Sequence, residues 1–399
     1  MATLRQTIER QREIGRLPQS GVVSFKSLHQ IFHPTPSGST RALILKMFEG
    51  VTKKLPWAVI LCRFKGEIPN PTLEAPIEQF YKGIFTAGSG GLIEYWQDVS
   101  LGSIDIVGSK VSPQWVELEI LRSQAGGIGR TAMVNFAIEA AKRNGFNPVD
   151  GFHSQIAIII HNWSNDDPQR PPGTPTWKDD DPLKPWWNTW IDGSSDGKTV
   201  CLTPWHDGNV TAHEMGHVFS MNHDVDSDLE TDYMDPCCIM SQNGPFNHPP
   251  WNRNFGPAIC LPHLMQKDWM YKRRVFFDNG DWLLKPNGIT LPLAPISRPN
   301  ARANLGIKLS FKKNNADWDY YLEYVIANEW NRGLPGAPYL FIRRMSPKYG
   351  GTPAYLGFVQ VPADVGTNAE FVEPSGNVSF QVELTNLRGP IIKVKAKKL

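Results

Sequence analysis

The stretch TAHEMGHVFSMNHD, Thr211 to Asp224, places three histidines and a glutamate within eleven positions. On an α-helix, residues i and i+4 lie on one face a turn apart, so His213 and His217 can aim ring nitrogens at one ion. Zinc accepts imidazole nitrogen at about 2.0–2.1 Å and favours four ligands in a tetrahedron. Glu214, next in sequence, projects beside such an ion, where it can take a proton from a water that zinc makes acidic. That is the chemistry of adding water to a polarised carbonyl, with Glu214 accepting the proton and passing it to the leaving amine. The third ligand is the harder requirement. His223 lies ten residues after His213. In a continuous helix it would be rotated by roughly 1000°, some 80° away from the His213 direction. The chain must therefore leave the helix between His217 and His223 and turn back. A downstream carboxylate such as Glu230 is the alternative third ligand, and a histidine-bearing helix with no metal is the other reading.

The pattern resembles that of the metzincin zinc peptidases, HExxHxxGxxH followed by a methionine turn. His213, Glu214, His217 and His223 match it, and Ser220 stands where the family has glycine. The family's glycine adopts a left-handed conformation that lets the chain turn, and serine there costs on the order of 1 kcal/mol. Asn222, which tolerates positive φ, is expected to share the turn. Within DPCCIMSQNG, Asp235 to Gly244, Met240 matches the methionine that lies beneath the metal as an apolar floor. Gln242 occupies the place where some members carry a tyrosine ligand, so the resemblance implies none there. Looser similarity to the immune inhibitor A-like and gametolysin-like secreted peptidases covers most of residues 55 to 345. It runs through WAVILCRFKG, GLIEYWQDVSLGSIDIVGSKV and NPVDGFHSQIAIIIH to DWDYYLEYVIANEWNRGLPGAPYLFIRR. The resemblance implies a secreted zinc endopeptidase with a metzincin-like α/β catalytic domain and an appended β-sandwich.

Neighbouring residues have two readings each. Asp224, directly after His223, supports the site by orienting a ligand or nearby backbone, or is a plain turn residue. Asp224, Asp226, Asp228, Glu230 and Asp232 alternate and suggest calcium, although the spacing fits no EF-hand; a solvated acidic loop is the other reading. The five cysteines contain no CxxC pair. A thiolate zinc site is therefore not expected, and a bridge from Cys237 or Cys238 to Cys201 or Cys260 is one possible pairing.

The elements that position these residues follow from local pattern. LPWAVILCRFKG, Leu55 to Gly66, is a short continuous apolar run and reads as a buried strand. FYKGIFTAGSGGLIEYWQDVS suggests helix with glycine breaks, and SIDIVGSKV alternates as a strand should. GGIGRTAMVNFAIEAAKRNGFNP is a helix with Met133, Phe136, Ala137, Ala140 and Ala141 on one face and Gly145 at its stop. HSQIAIIIHNW and GKTVCLTP are further strands, and alternating strands and helices predict an α/β (α+β) layer with a mixed twisted sheet. Residues 163 to 198 form a long insertion with Trp163, Trp177, Trp186, Trp187 and Trp190. These line a cleft, stack on a glycan, or form a satellite core. After Arg274 helical pattern gives way to IKLSF, DYYLEYVIA, PYLFIRRM, GFVQV, NVSFQVEL and IIKVKAK, an all-β module of sandwich type. The expected organisation is an arm or pro-segment remnant over 1–54, a catalytic domain over 55–274 and a β domain over 275–399.

A net charge of +2 over 399 residues suggests no nucleic-acid partner. No apolar run reaches the roughly 18 residues of a membrane span. The polar N-terminus has no secretory h-region, so secretion rests on the resemblance. Two functions from different classes follow. One is a zinc endopeptidase acting on protein or peptide substrates. The other is a catalytically spent zinc protein that binds glycan or protein through the Trp-rich loop or the β module.

Overall fold

In the computed structural model, which describes residues 52–125, 128–159, 192–193, 198–204, 206–226, 231–241, 244–313, 316–336, 338–345, 351–385 and 391–399, the run Trp57–Arg63 forms strand β1. All of it but Arg63 is buried, as befits a strand covered on both faces. Ser154–Ile159 (β4) pairs with one edge of β1 in parallel, with Trp57 opposite Ser154 and Cys62 opposite Ile159. Lys110–Val111 (β2) and Val116–Glu117 (β3) pair in parallel with its other edge. Thr199–Leu202 (β6) runs parallel to β4, and Asp192–Gly193 (β5) closes this side of the sheet antiparallel to β6.

Alternate residues of the sheet enter different cores. Trp57, Val59, Leu61, Ile156, Ile158, Val200 and Leu202 join the largest apolar cluster. Ile60, Cys62, Ala157, Ile159 and Cys201 pack beneath the helix Arg130–Arg143 (α3). That helix buries Met133, Val134, Ala137, Ile138, Ala140 and Ala141. Phe136, read as part of the buried face, is only partly covered, and Val134 and Ile138 extend that face instead. The first glycine-broken helical region divides into Pro71–Ile84 (α1) and Leu92–Val99 (α2). Gly88 and Gly90, both at positive φ, make the break.

SIDIVGSKV is not the single strand its alternation suggests. It forms two-residue pieces, Ile104–Asp105 and Lys110–Val111. The Asp105 side chain accepts from the Val107 N–H, and Gly108 takes φ 100, so the chain turns in between. Local hydrogen bonding from an aspartate competes with the ladder here.

The chain is thus mixed α/β with several sheets, followed by a β-rich C-terminal region. Val275–Asp278 (β7), Gly306–Lys313 (β9), Ala316–Val325 (β10), Tyr339–Met345 (β11) and Ala354–Gln360 (β12) form a five-stranded sheet in that order. Ile289–Leu293 (β8), Ile392–Lys398 (β15), Val378–Leu384 (β14) and Asn368–Val372 (β13) form a four-stranded one. Leu309, Leu322, Leu340 and Ile342 from the first sheet share a core with Val378, Phe380, Val382 and Val394 from the second.

Strand β11 has a second buried face. Phe341, Arg343 and Met345 point away from the inter-sheet core, and Met345 belongs to the same cluster as Met240 and the histidine helix. Val275, Ile296, Leu305, Tyr321 and Trp330 also join that cluster, so the apolar core does not stop at residue 275. Trp330 donates from Nε1 to the Asp98 carboxylate at 3.0 Å and packs edge-on against Tyr95. Among the described residues no helix is long and apolar enough to cross a membrane. Residues up to 51, and the five tryptophans of the insertion, lie outside the described residues.

Candidate metal centre

His213 and His217 sit on the helix Gly208–Val218 (α4). Two of its glycines are packing requirements. A Cβ at Gly208 would lie 2.3 Å from the Phe255 ring, and a Cβ at Gly216 would lie 2.5 Å from Met240 Sδ. The glycine inside HEMGH therefore lets the buried Met240 press against the helix directly below the histidines.

The helix ends in a Schellman turn centred on Ser220. The Ser220 N–H donates to the His217 carbonyl at 2.7 Å, the Met221 N–H donates to the Gly216 carbonyl at 3.1 Å, and Ser220 takes φ 60. The whole reversal falls on Ser220; Asn222, expected to share it, is not in the left-handed region. Lys267 Nζ donates to the Ser220 carbonyl from the outside.

After this turn the three imidazoles meet. His213 Nε2 lies 3.1 Å from His217 Nε2, which lies 3.0 Å from His223 Nε2. Two imidazole nitrogens on a tetrahedral zinc stand about 3.3 Å apart, from ligand distances of about 2.0–2.1 Å. The tautomers follow from the opposite ring edges. His213 Nδ1 faces the Ile239 carbonyl at 2.8 Å and His217 Nδ1 faces the Met221 carbonyl at 2.9 Å. A carbonyl only accepts, so both Nδ1 atoms carry the proton and both Nε2 atoms present lone pairs. His223 Nδ1 faces the Asp232 carboxylate at 3.2 Å, which assigns its proton in the same way. Three lone pairs therefore converge with no ring proton to share between them. Burial pushes His213 down to about 3 and His217 down to about 4, with repulsion from the neighbouring imidazoles adding to both shifts. The donor set fits a divalent cation that accepts neutral imidazole.

Glu214 is buried beside His213 on the same helix. Its charge acts on Tyr233, whose hydroxyl stands 3.1 Å from His223 Nε2. Burial first, then Asp232 and Glu214, push the Tyr233 phenol up and keep it protonated. Tyr233 takes φ 67 and is 43 % exposed, so a bulky residue is held in an unfavourable backbone region at the open side of the site. Sequence reasoning missed this tyrosine. It sought one two residues beyond Met240, at Gln242, which lies outside the described residues.

Asp232, at the end of the acidic run, faces His223 Nδ1 and orients that ring. Asp224 does not take that part. It is fully buried behind the histidines, with Oδ1 3.0 Å from His263 Nε2. Asp228 and Glu230, and with them the calcium reading and the alternative third ligand, lie outside the described residues. Met240 is fully buried in the short 3-10 turn Ile239–Ser241. The turn is closed by the Asp235 N–H donating to Ser241 Oγ at 3.0 Å and the Ile239 N–H donating to the Ala258 carbonyl at 2.9 Å.

Arg343 of β11 was also not foreseen. It is fully buried, pairs through Nε and Nη2 with both Asp235 oxygens, and pairs through Nη1 with Glu323 at 2.9 Å. Burial pushes the Glu323 carboxyl up to about 7 while Arg343 pulls it back. The alternation of Arg343 with Phe341 and Met345 in FIRRM was the available signal. The five cysteines are free and buried, so the proposed bridge to Cys237 or Cys238 is absent. Cys201 lies in the core on the α3 side of the first sheet, away from both.

Two groups of described residues can hold a metal ion: His213, His217 and His223, and separately Asp224, Cys238, Cys260 and His263.

No family model and no curated protein matches the chain. Among solved structures it is similar to OgpA from Akkermansia muciniphila, at 10 % identity and a TM-score of 0.31, over 77 % of this chain and 94 % of that one. Likeness at this level decides neither fold nor function.

Proposed function

We propose that the chain is a zinc-dependent endopeptidase of metzincin type, with a β-sandwich appended to its catalytic domain and a secreted site of action, as its resemblance to the immune inhibitor A-like and gametolysin-like peptidases implies. The single observation that carries the reading is the convergence of three imidazole Nε2 atoms, oriented by the partners on their opposite ring edges, at the spacing that one tetrahedral ion requires. His213, His217 and His223 would hold the ion. Bound there, zinc supplies a Lewis acid that lowers the pKa of water toward about 7 and polarises a peptide carbonyl.

The protein's own groups do the rest. Glu214 accepts a proton from the attacking water and delivers it to the leaving amine. The Tyr233 hydroxyl, protonated and at the open side of the site, donates to the oxyanion that develops at the carbonyl. The Ile239 and Met221 carbonyls and the Asp232 carboxylate fix the three ring orientations. Met240 fills the floor and excludes water from below.

Digestion of casein with and without a chelator tests this, with Glu214→Ala alongside. Activity should vanish with the chelator, return with zinc and be lost in the variant. Activity that survives both treatments would remove the mechanism. A zinc-loaded wild type inert toward a broad panel of proteins and glycoproteins would leave the spent binding module in its place.

A further inference from the structure

Behind the histidine cluster lies a second set of ligand-type side chains. Asp224 follows His223, Cys238 precedes Met240 by two residues, Cys260 is the N-cap of the helix Leu261–Gln266 (α5), and His263 is in that helix's first turn. All four residues are fully buried. Their ligand atoms lie within 4.8 Å of one another, with His263 Nε2 3.0 Å and Cys260 Sγ 3.9 Å from Asp224 Oδ1. A tetrahedral zinc with two sulfurs, one nitrogen and one oxygen spaces its ligands by roughly 3.3–3.8 Å, so closing onto an ion takes shifts of about an ångström or less.

Cys260 Sγ donates weakly to Asp224 Oδ1, but the contacts within the group do not satisfy all of its polar atoms. His263 Nε2 and Asp224 Oδ2 have no hydrogen-bond partner despite complete burial. The tautomer of His263 is set on its other edge. Gln266 donates its amide to the Gly351 carbonyl, which turns its oxygen toward His263 Nδ1 at 3.2 Å. Nδ1 therefore carries a proton, which leaves Nε2, 3.0 Å from Asp224 Oδ1, as the ring nitrogen placed to ligate an ion. Orphaned buried polar groups of this kind are costly. A cation among the four satisfies both atoms at once.

We infer that Asp224, Cys238, Cys260 and His263 form a second metal site that binds a structural Zn²⁺. Two thiolates, one imidazole and one carboxylate are a soft, mixed set that suits zinc over calcium or magnesium. Four protein ligands in a closed, fully buried pocket leave no position for water, so the site does no hydrolysis. On binding, each cysteine releases its S–H proton and coordinates as thiolate, while the carboxylate and the neutral imidazole coordinate directly. The ion joins three segments: the loop leaving the third catalytic-type histidine, the turn that carries Met240, and the start of α5. It holds the floor of the histidine site to its far wall. The inference stands apart from the proposed peptidase activity, since it rests on a different set of side chains.

The test is metal content and spectroscopy of the full chain, purified with zinc and freed of loosely bound ion. Wild type should carry about two zinc ions per chain, His217→Ala about one, and Cys238→Ser/Cys260→Ser about one. Replacement by Co²⁺ should give wild type and His217→Ala a sulfur-to-cobalt charge-transfer band in the near ultraviolet, which three imidazoles cannot produce. A wild type with about one zinc and no such band would overturn the site, whether or not the cysteine variant folds. So would a Cys238–Cys260 disulfide found by mass spectrometry of the unreduced protein.

Discussion

Arg343 of the β-rich C-terminal region closes on Asp235 of the preceding α/β region, and both residues are fully buried. Asp235 begins the turn that carries Met240, so a strand residue 108 positions downstream holds the floor of the histidine site. Removing one member leaves the other as an uncompensated buried charge. Arg343→Met should destabilise the chain by about 3–5 kcal/mol and reduce zinc retention. Urea unfolding of the variant and of Arg343→Met/Asp235→Asn measures it. A single-variant loss under about 1 kcal/mol would show that the pair does not hold the turn.

Gly216 presses on Met240 Sδ, with no room for a methyl group. Gly216→Ala should cost about 1–3 kcal/mol through overpacking. Adding Met240→Leu, which removes the sulfur and shortens the side chain, should recover part of that loss. Equal stabilities for Gly216→Ala and wild type in the same urea titration would mean the helix and the methionine are not in close contact.

Ser220 alone carries the left-handed turn between His217 and His223. Glycine relieves the strain but adds freedom to the unfolded chain, so Ser220→Gly should lie between neutral and about 1 kcal/mol more stable. Ser220→Val, β-branched in that conformation, should lose stability and zinc affinity together. Competitive zinc titration of the two variants separates them; if valine binds zinc as well as glycine does, the turn is not what brings His223 to the site.

The Tyr233 hydroxyl stands 3.1 Å from His223 Nε2. On the peptidase reading, Tyr233→Phe should lower kcat about 10²-fold with zinc content and KM little changed. Steady-state kinetics on a quenched peptide, paired with metal analysis, checks this. A change in KM alone would assign the tyrosine to substrate binding.

Acid should weaken the zinc-free protein over a defined window. Burial holds His206 and His217 down to about 4 and His213 down to about 3. Each folded value lies below the ordinary histidine value of about 6.5, so between those values the unfolded chain binds more protons. Their contribution is complete above pH 6.5 and is lost as pH falls toward 4 and then 3. Glu323, pushed up to about 7, acts with the opposite sign, and its contribution falls as pH rises from about 4.5 to 7. His206→Gln should therefore flatten the loss of stability between pH 6.5 and 4. An unchanged slope would mean that His206 is not buried in its neutral form.

What the sequence determines on its own is what local periodicity controls. The i, i+4 spacing of His213 and His217, the neighbouring Glu214 and the impossibility of reaching His223 without a turn all follow from helix geometry over a dozen residues. The continuous apolar runs that became β1, β4 and β6 follow from burial on two faces, and most of the strands after Arg274 follow from alternation between turn signals. Where a side chain bonded to its own backbone, as at Asp105, alternation misled. Only the tertiary structure decided which distant groups complete the histidine cluster. Asp232 rather than Asp224 faces His223, Tyr233 overlooks it, and Arg343 grips Asp235. Asp224, Cys238, Cys260 and His263 come together from separate segments into one dry pocket. No spacing rule links those residues, because the loops and packed faces that join them set their distances, and that geometry exists only once the core has formed.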